Sequence, residues 1–229
     1  MSLNVEVLPD AGAAAARAAE WIGAAIREAA AARGCALVAA SGGRDPWPMY
    51  RALAAQALPW DCVHVFQVDE RVAPLHDDDR NWLHLRESLL ARVPIEATHA
   101  HAMPVEEDDL ASAASSYSAR LCAVAGNPPV LDVVHLGLGG DGHTASLVPG
   151  DAAVDCTEGD VAVTEPYRGR RRMTLTFPVL SQARRVLWLV TGEEKRDALA
   201  KLRRGDASIP ASRVAAKEQL VVADAAAAG

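Results

Sequence analysis

Hydrophobic and polar positions along this chain change period repeatedly, from helical spacing to short apolar runs and back. "AAAARAAEWIGAAIREAAAARG" carries Trp21, Ile22, Ala25, Ile26 and Ala29 along one helical stripe and stops at Gly34, a residue suited to ending a helix. "CALVAA" reads as a short buried strand, "SGGRDP" breaks it, and "WPMYRALAAQAL" resumes helical spacing. A second strand, "CVHVFQV", runs into the charged loop "DERVAPLHDDDRN". "WLHLRESLLARV" then aligns Trp82, Leu85, Leu89, Leu90 and Val93 on one helical face. A further helix is expected across 108 to 125, ending before "GNPP". After it come the strand "VLDVVHLGL", the short segment "VAVTEP", the strands "RMTLTF" and "RVLWLVTG", the helix "EEKRDALAKLRRG" and a last strand, "QLVVAD". The alanine tail is expected to fray.

Strands alternating with helices predict an α/β fold, a mostly parallel sheet with helices on both faces. No repeat of fixed period and no linker rich in Pro, Gly or Ser divides the chain, so residues 1–229 read as a single domain, long enough to bury a sizeable core. Half the residues are hydrophobic but only 4% are aromatic, and the abundant alanine suits helices lying close on a sheet. A net charge of -7 and a pI near 5.5 disfavour a nucleic-acid partner, which this overall field would repel. "MSLNVEVLPD" has no cationic segment leading into an apolar run, and no stretch is apolar enough to span a bilayer. The expectation is a cytoplasmic protein with no membrane partner. Cys35, Cys62, Cys122 and Cys156 form no C-x-x-C pair and read as reduced thiols.

Three of the expected strands end in glycine-bearing loops: "ALVAASGGRDP", "VVHLGLGGDGH" and "LWLVTGEEK". Ligands of parallel α/β folds sit beyond the carboxyl ends of the strands. Glycine uncovers backbone N–H groups there, and a following helix start adds partial positive charge, so each junction suits a phosphate. Arg44 and Lys195 lie in or just after two of these loops, and "RGRRRM" adds Arg168, Arg170, Arg171 and Arg172 beside a strand. Together they predict a small phosphorylated ligand. "HDDD" at 76–79 and "HAH" at 99–101 lack a matching second half, so no metal is expected. His64 and His135 fall inside strand patterns and read as core or sheet-face residues.

"SGGRDP", "DERVAP…RN", "GLGGDGHTASLVPG", "RRMTLT" and "VTGEEK" resemble, in order and spacing, the motifs of the 6-phosphogluconolactonases over nearly the whole chain. "DGHTASLVPG" is the most specific block. The resemblance implies a modified Rossmann-like fold shared with glucosamine-6-phosphate deaminase and ribose-5-phosphate isomerase. It also implies metal- and cofactor-free hydrolysis of 6-phospho-D-glucono-1,5-lactone to 6-phosphogluconate, in the oxidative pentose phosphate pathway. Five positions depart from the family pattern: Arg44-Asp45 for Ser-Thr, Ala73 for Val, Arg80 for Ser and Val148 for Phe. Asp45 either brings a negative charge near the phosphate or caps the helix that begins near Pro46.

Lactone hydrolysis needs a water deprotonated near neutral pH, which makes His143 the candidate general base, returning its proton to the ring oxygen as the ester opens. Asp141 either orients that ring or caps the next segment. Backbone N–H groups around Gly139 and Gly140 are expected at the oxyanion. The resemblance places Asp69 in the pocket as a further catalytic candidate, although a loop cap paired with Arg71 is its bland alternative. It makes Arg71, Asn81 and Arg172 sugar or phosphate contacts. Ser41, Gly42, Gly43, Arg44 and Lys195 complete the expected substrate-binding set. The expected partner is a small phosphorylated sugar lactone, bound by a monomer or small homo-oligomer. Two other readings stand beside this one. A deaminase-like isomerase would normally carry an acid where Val148 stands, and a non-catalytic phosphosugar sensor would normally append a DNA-binding module.

Overall fold

In the computed structural model, which describes residues 3–229, the chain builds one seven-stranded, wholly parallel sheet and one small antiparallel sheet. The large sheet comprises β1 (Asn4–Leu8), β2 (Ala36–Ala40), β3 (Val63–Gln67), β5 (Ala100–His101), β6 (Val133–Gly137), β9 (Arg185–Val190) and β10 (Glu218–Asp224), in the order β1-β10-β9-β6-β2-β3-β5. The small one orders β4 (Asp69–Arg71), β8 (Arg172–Leu175) and β7 (Val161–Val163). From β2 the chain winds outward to β3 and β5, then returns to β6 and winds the other way to β9 and β10. The carboxyl ends of β2 and β6 therefore flank the crevice where such folds bind ligands.

Both faces of the sheet are covered, which is why its strands read as apolar runs rather than alternating ones. Leu187 and Leu189 of β9 join Ile22, Ile26, Met49, Leu53 and Leu85, from helices α1 (Ala11–Arg33), α2 (Pro46–Ala54) and α3 (Asn81–Ser88). The alternate residues Val186, Trp188 and Val190 face the opposite core. There they meet Tyr117, Leu121, Leu180 and Leu199, from α4 (Leu110–Ala125), α5 (Phe177–Gln182) and α6 (Arg196–Arg203). Each fully buried Leu or Val contributes about 1.5–3 kcal/mol, enough to fix the strand register. The alanines of α1 turn inward at Ala14, Ala15, Ala18, Ala19, Ala25 and Ala29, so this helix lies close on the sheet. Asp10 caps its start by accepting from the Ala13 amide (2.8 Å), and Gly34, at φ +74°, ends it as expected.

The structure differs from the sequence reading at the edges and in the charged loops. β1 was not anticipated; it is a half-exposed edge strand whose apolar alternation is short. "DERVAPLHDDDRN" is not all loop, because its first three residues form β4 by pairing with β8. The expected helix of 82–93 ends at Ser88, and "FPVLSQ" folds as α5 rather than continuing a strand. The alanine tail does not fray: Asp224 caps α7 (Ala225–Ala228) by accepting from the Ala227 amide at 2.8 Å.

Candidate active site

The loops leaving β2, β6 and β9 converge, as the glycine pattern predicted, on a cavity of about 190 Å³. Ser41, Gly42 and Gly43 form one wall, Gly139, Gly140 and His143 a second, and Lys195 reaches in from beyond β9. The small sheet supplies the remaining wall with Asp69, Arg71 and Arg172, beside Asn81. Asp141 stands behind His143, and Arg44 alone of the expected residues lies away from the cavity. Its side chain is exposed; the next residue, Asp45, is exposed as well but borders the cavity. At a bend between strand and helix, sequence does not say which neighbour faces in.

Gly42 and Gly139 are dictated by close approach. A Cβ on Gly42 would sit 1.8 Å from Asn81 Oδ1, and one on Gly139 would sit 2.1 Å from His143 Nδ1. Asn81 is itself fixed by Glu70, a wholly buried carboxylate. Glu70 accepts from the backbone amides of Arg71 (2.7 Å), Asn81 (2.8 Å) and Trp82 (2.7 Å) at the start of α3, and from Gln67 Nε2 (2.9 Å). A carboxylate is well placed at a helix N-terminus. Arg80, 1% exposed, supplies the countercharge: its Nε lies 3.2 Å from Glu70, and its Nη1 pairs with Glu106 and donates to the Ala73 carbonyl. This departure from the family pattern is thus a buried support for the loop.

His143 is held on one side. Its Nδ1 lies 2.5 Å from Asp141 Oδ1, the Asp141 carboxylate also accepts from the His143 amide (3.1 Å), and Tyr167 donates to Asp141 Oδ2 (3.0 Å). Asp141 therefore both orients the ring and closes the turn. Burial works to raise its pKa, but the bonds and charge of His143, with the Tyr167 hydroxyl, together hold it below the ordinary carboxylate value. Because a carboxylate only accepts, Nδ1 carries the proton and Nε2 is left free. The Gly139 amide donates to the His143 carbonyl (2.8 Å), which removes it as an oxyanion donor. The Gly140 amide has no partner among the described residues.

Arg71 and Arg172 face each other directly across the β4–β8 pair, a costly placement for like charges. Burial, and then the nearby Arg71, lower the pKa of Arg172, while Asp69 counters them. Asp69 is not paired with Arg71. Its Oδ2 accepts from Ser146 Oγ (2.7 Å), which also lies 3.4 Å from Arg172 Nη1, and its backbone carbonyl accepts from Asn81. Arg71 donates instead to Asn81 Oδ1 (2.5 Å) and the Asp79 carbonyl (2.9 Å). The Nε atoms of both arginines are buried without a partner. Two guanidiniums thus stand at one wall with only neutral hydrogen-bond acceptors.

Asp45 occupies the N-cap position of α2 but makes no capping bond. Burial raises the pKa of its carboxyl at the cavity mouth, and Lys195 pulls the other way. Lys195 itself has only a loose pairing with Glu194, at 3.9 Å.

Several contributors escaped the sequence reading. Tyr167 stacks edge-on against His143 (5.6 Å between centroids) with the Arg172 guanidinium 5.0 Å from its ring centre. Arg168, grouped in the sequence only with the other arginines beside the strand, lies over the same ring and lines the cavity. Ala145 and Arg168, the two non-glycine residues with left-handed φ among those described, both border the cavity. His135 does sit in the sheet, as expected, yet it also lines the cavity, with Tyr50 behind it. The available signals were a polar residue inside a buried strand and a tyrosine beside the arginine run. At the opposite edge His64 and His101 pair (3.1 Å) with His99 stacked on them.

A sequence profile of the glucosamine-6-phosphate isomerases/6-phosphogluconolactonases matches residues 9–222, and the chain belongs to this family. It is 41% identical over 207 residues to a 6-phosphogluconolactonase of Nostoc sp., an alignment covering 88% of this chain and 85% of that one. The crystal structure of a 6-phosphogluconolactonase from Thermotoga maritima superposes with a TM-score of 0.88 at 28% identity, covering 97% of this chain and 99% of the other. A monomeric glucosamine-6-phosphate deaminase shares the fold, with a TM-score of 0.85 at 19% identity, covering 99% of both chains. No helix among the described residues is long and apolar enough to cross a membrane.

Proposed function

We propose that this chain hydrolyses 6-phospho-D-glucono-1,5-lactone to 6-phosphogluconate, with His143 as general base. The observation that carries the reading is the placement of an oriented histidine in the same cavity as Arg71, Arg172 and Lys195. A neutral sugar would not require so many uncompensated cations. His143 Nε2 takes a proton from water as the water oxygen attacks the lactone carbonyl. The tetrahedral oxyanion lies toward the unpaired Gly140 amide and the Arg172 guanidinium. As the bond from the carbonyl carbon to the ring oxygen breaks, the protonated ring returns its proton to that oxygen, giving the open hydroxy acid. Asp141 stabilises the transient imidazolium without becoming protonated. The amides of Gly42 and Gly43 with Lys195 receive the phosphate, and Asp69, through Ser146, holds Arg172 in place.

The deaminase alternative finds no acid at Val148, a buried apolar residue. The deciding experiment follows lactone loss by coupled oxidation of 6-phosphogluconate, with the spontaneous rate subtracted. A rate no faster than the spontaneous one, alongside binding of 6-phosphogluconate, would favour the non-catalytic sensor.

A further inference from the structure

His135 sits in the middle of β6, 1% exposed, opposite Leu187 of β9, and borders the cavity floor. Its Nδ1 lies 3.0 Å from the Tyr50 hydroxyl, and that hydroxyl lies 2.7 Å from the Ser41 carbonyl oxygen. A phenol has one proton to give. If Tyr50 gave it to His135, its oxygen and the Ser41 carbonyl oxygen would face each other at 2.7 Å with no hydrogen between them. Tyr50 therefore donates to Ser41 and accepts from His135, which places the imidazole proton on Nδ1. Nε2 is left with a lone pair, buried, and without any partner in the protein. Leaving such an atom unsatisfied is costly, and the ring has no escape by taking a second proton. Complete burial pushes its pKa down to about 3, so the site stays a neutral acceptor across the physiological range.

The rest of the cavity gives that acceptor a purpose. Arg71, Arg168, Arg172, Lys195 and the glycine-loop amides are donors, suited to phosphate and carbonyl oxygens. Sugar hydroxyls also carry protons that must go somewhere; Asp69 already accepts from Ser146 and Asp45 stands at the mouth, whereas the His135 Nε2 acceptor has no partner. We propose that His135 Nε2 accepts a hydrogen bond from a hydroxyl of the bound sugar, with Tyr50 locking the tautomer that makes this possible. The inference rests on the phosphosugar-lactone reading given above. It makes His135 a positioning residue that favours ligands with a hydroxyl at one carbon of the sugar chain over their deoxy counterparts.

The test uses the full-length protein with 6-phosphogluconate and its monodeoxy analogues. Nitrogen NMR of the native chain should find His135 Nδ1 protonated and Nε2 unprotonated, with the Nε2 resonance moving when 6-phosphogluconate binds. Native protein should bind one deoxy analogue about tenfold more weakly than 6-phosphogluconate, as fits one hydrogen bond. His135→Leu should lose about tenfold in affinity for 6-phosphogluconate and in KM for the lactone, should keep kcat within about threefold, and should no longer distinguish that analogue. His135→Gln, which offers an amide oxygen in place of Nε2, should recover most of the loss. Tyr50→Phe should weaken binding by releasing the tautomer. A protonated Nε2 in the native chain overturns the inference, as does a His135→Leu protein that still prefers 6-phosphogluconate over every deoxy analogue. Either result leaves the lactonase reading intact if the native chain accelerates hydrolysis. A native chain that neither hydrolyses lactone nor binds 6-phosphogluconate overturns both.

Discussion

His135 and His143 stand eight residues apart, one on β6 and one on the loop that leaves it, and each is held at Nδ1 by a neighbour of opposite character. Asp141 gives His143 a fixed negative charge beside its Nδ1, an arrangement that suits the general-base role proposed for it. Tyr50 gives His135 an uncharged chain ending on a backbone carbonyl, and the surrounding sheet excludes the water that would stabilise a cation. Both rings border the same cavity. The pair teaches that a histidine's role is set less by which cavity it faces than by what holds its far nitrogen and how dry its surroundings are.

Removing the ring proposed as general base is expected to have the largest effect. His143→Ala should lower kcat by about 10² to 10⁴, measured in the coupled assay, with an unchanged circular dichroism spectrum. Activity within a factor of about three of native would remove His143 from the chemistry. Moving the ring without removing it should do nearly as much. Gly139→Ala places a methyl where His143 Nδ1 and Asp141 now pack, and kcat should fall on the order of 10² while the melting temperature stays close to native. A variant with native kcat would show that the ring tolerates displacement.

Lys195→Ala asks about the substrate's other end. It should reduce kcat/KM for the phosphorylated lactone by roughly ten- to a hundredfold and leave unphosphorylated gluconolactone nearly unchanged. Equal losses on both substrates would mean that Lys195 does not read phosphate.

The buried histidines make a separate prediction in acid. His135 and His101 have pKa values lowered to about 3 and about 4, chiefly by burial, and for His101 also by His64, Arg120 and His99; His64 is lowered in the same sense. Below pH of about 6.5 the unfolded chain binds protons that the folded chain refuses. Stability should therefore fall as pH drops from about 6.5 toward 4, by up to roughly a factor of ten in the unfolding constant per pH unit for each such histidine. Urea midpoints at a series of pH values measure this, and His135→Leu should flatten the curve. A slope identical in that variant would place the acid sensitivity elsewhere. Smallest is Tyr167→Phe, which removes one bond to Asp141 and should lower kcat by about two- to tenfold. No change would reduce Tyr167 to a packing role.

What could be read before the structure follows from where each signal lives. β2, β6 and β9 were legible because strands buried on both faces are locally apolar and end in glycine. His143 with its Asp141 partner lies within one short block, so its neighbourhood is local too. Asp69, Arg71 and Arg172 were placed through family likeness; nothing in "DER" itself announces a strand, since β4 exists only by pairing with β8. Arg80 looked like an anomaly because its partner Glu106 is far along the chain. Arg44 reads as a phosphate contact because its positive charge is visible in the sequence, whereas the direction of a side chain at a bend is not. His135 reads as a core or sheet-face residue and is buried in β6, but its chemistry depends on Tyr50, eighty-five positions away.

The small antiparallel sheet bears on the order in which the molecule comes together. Arg71 and Arg172 meet only when segments about a hundred positions apart have closed on each other, and His143 lies on the chain between them. Closing so long a loop costs entropy that local contacts do not repay, so such pairings form late. During refolding, helical signal and collapse should return first and hydrolysis last. A chain cut between β4 and β8 would leave neither piece with both guanidiniums, however well each kept its own strands and helices.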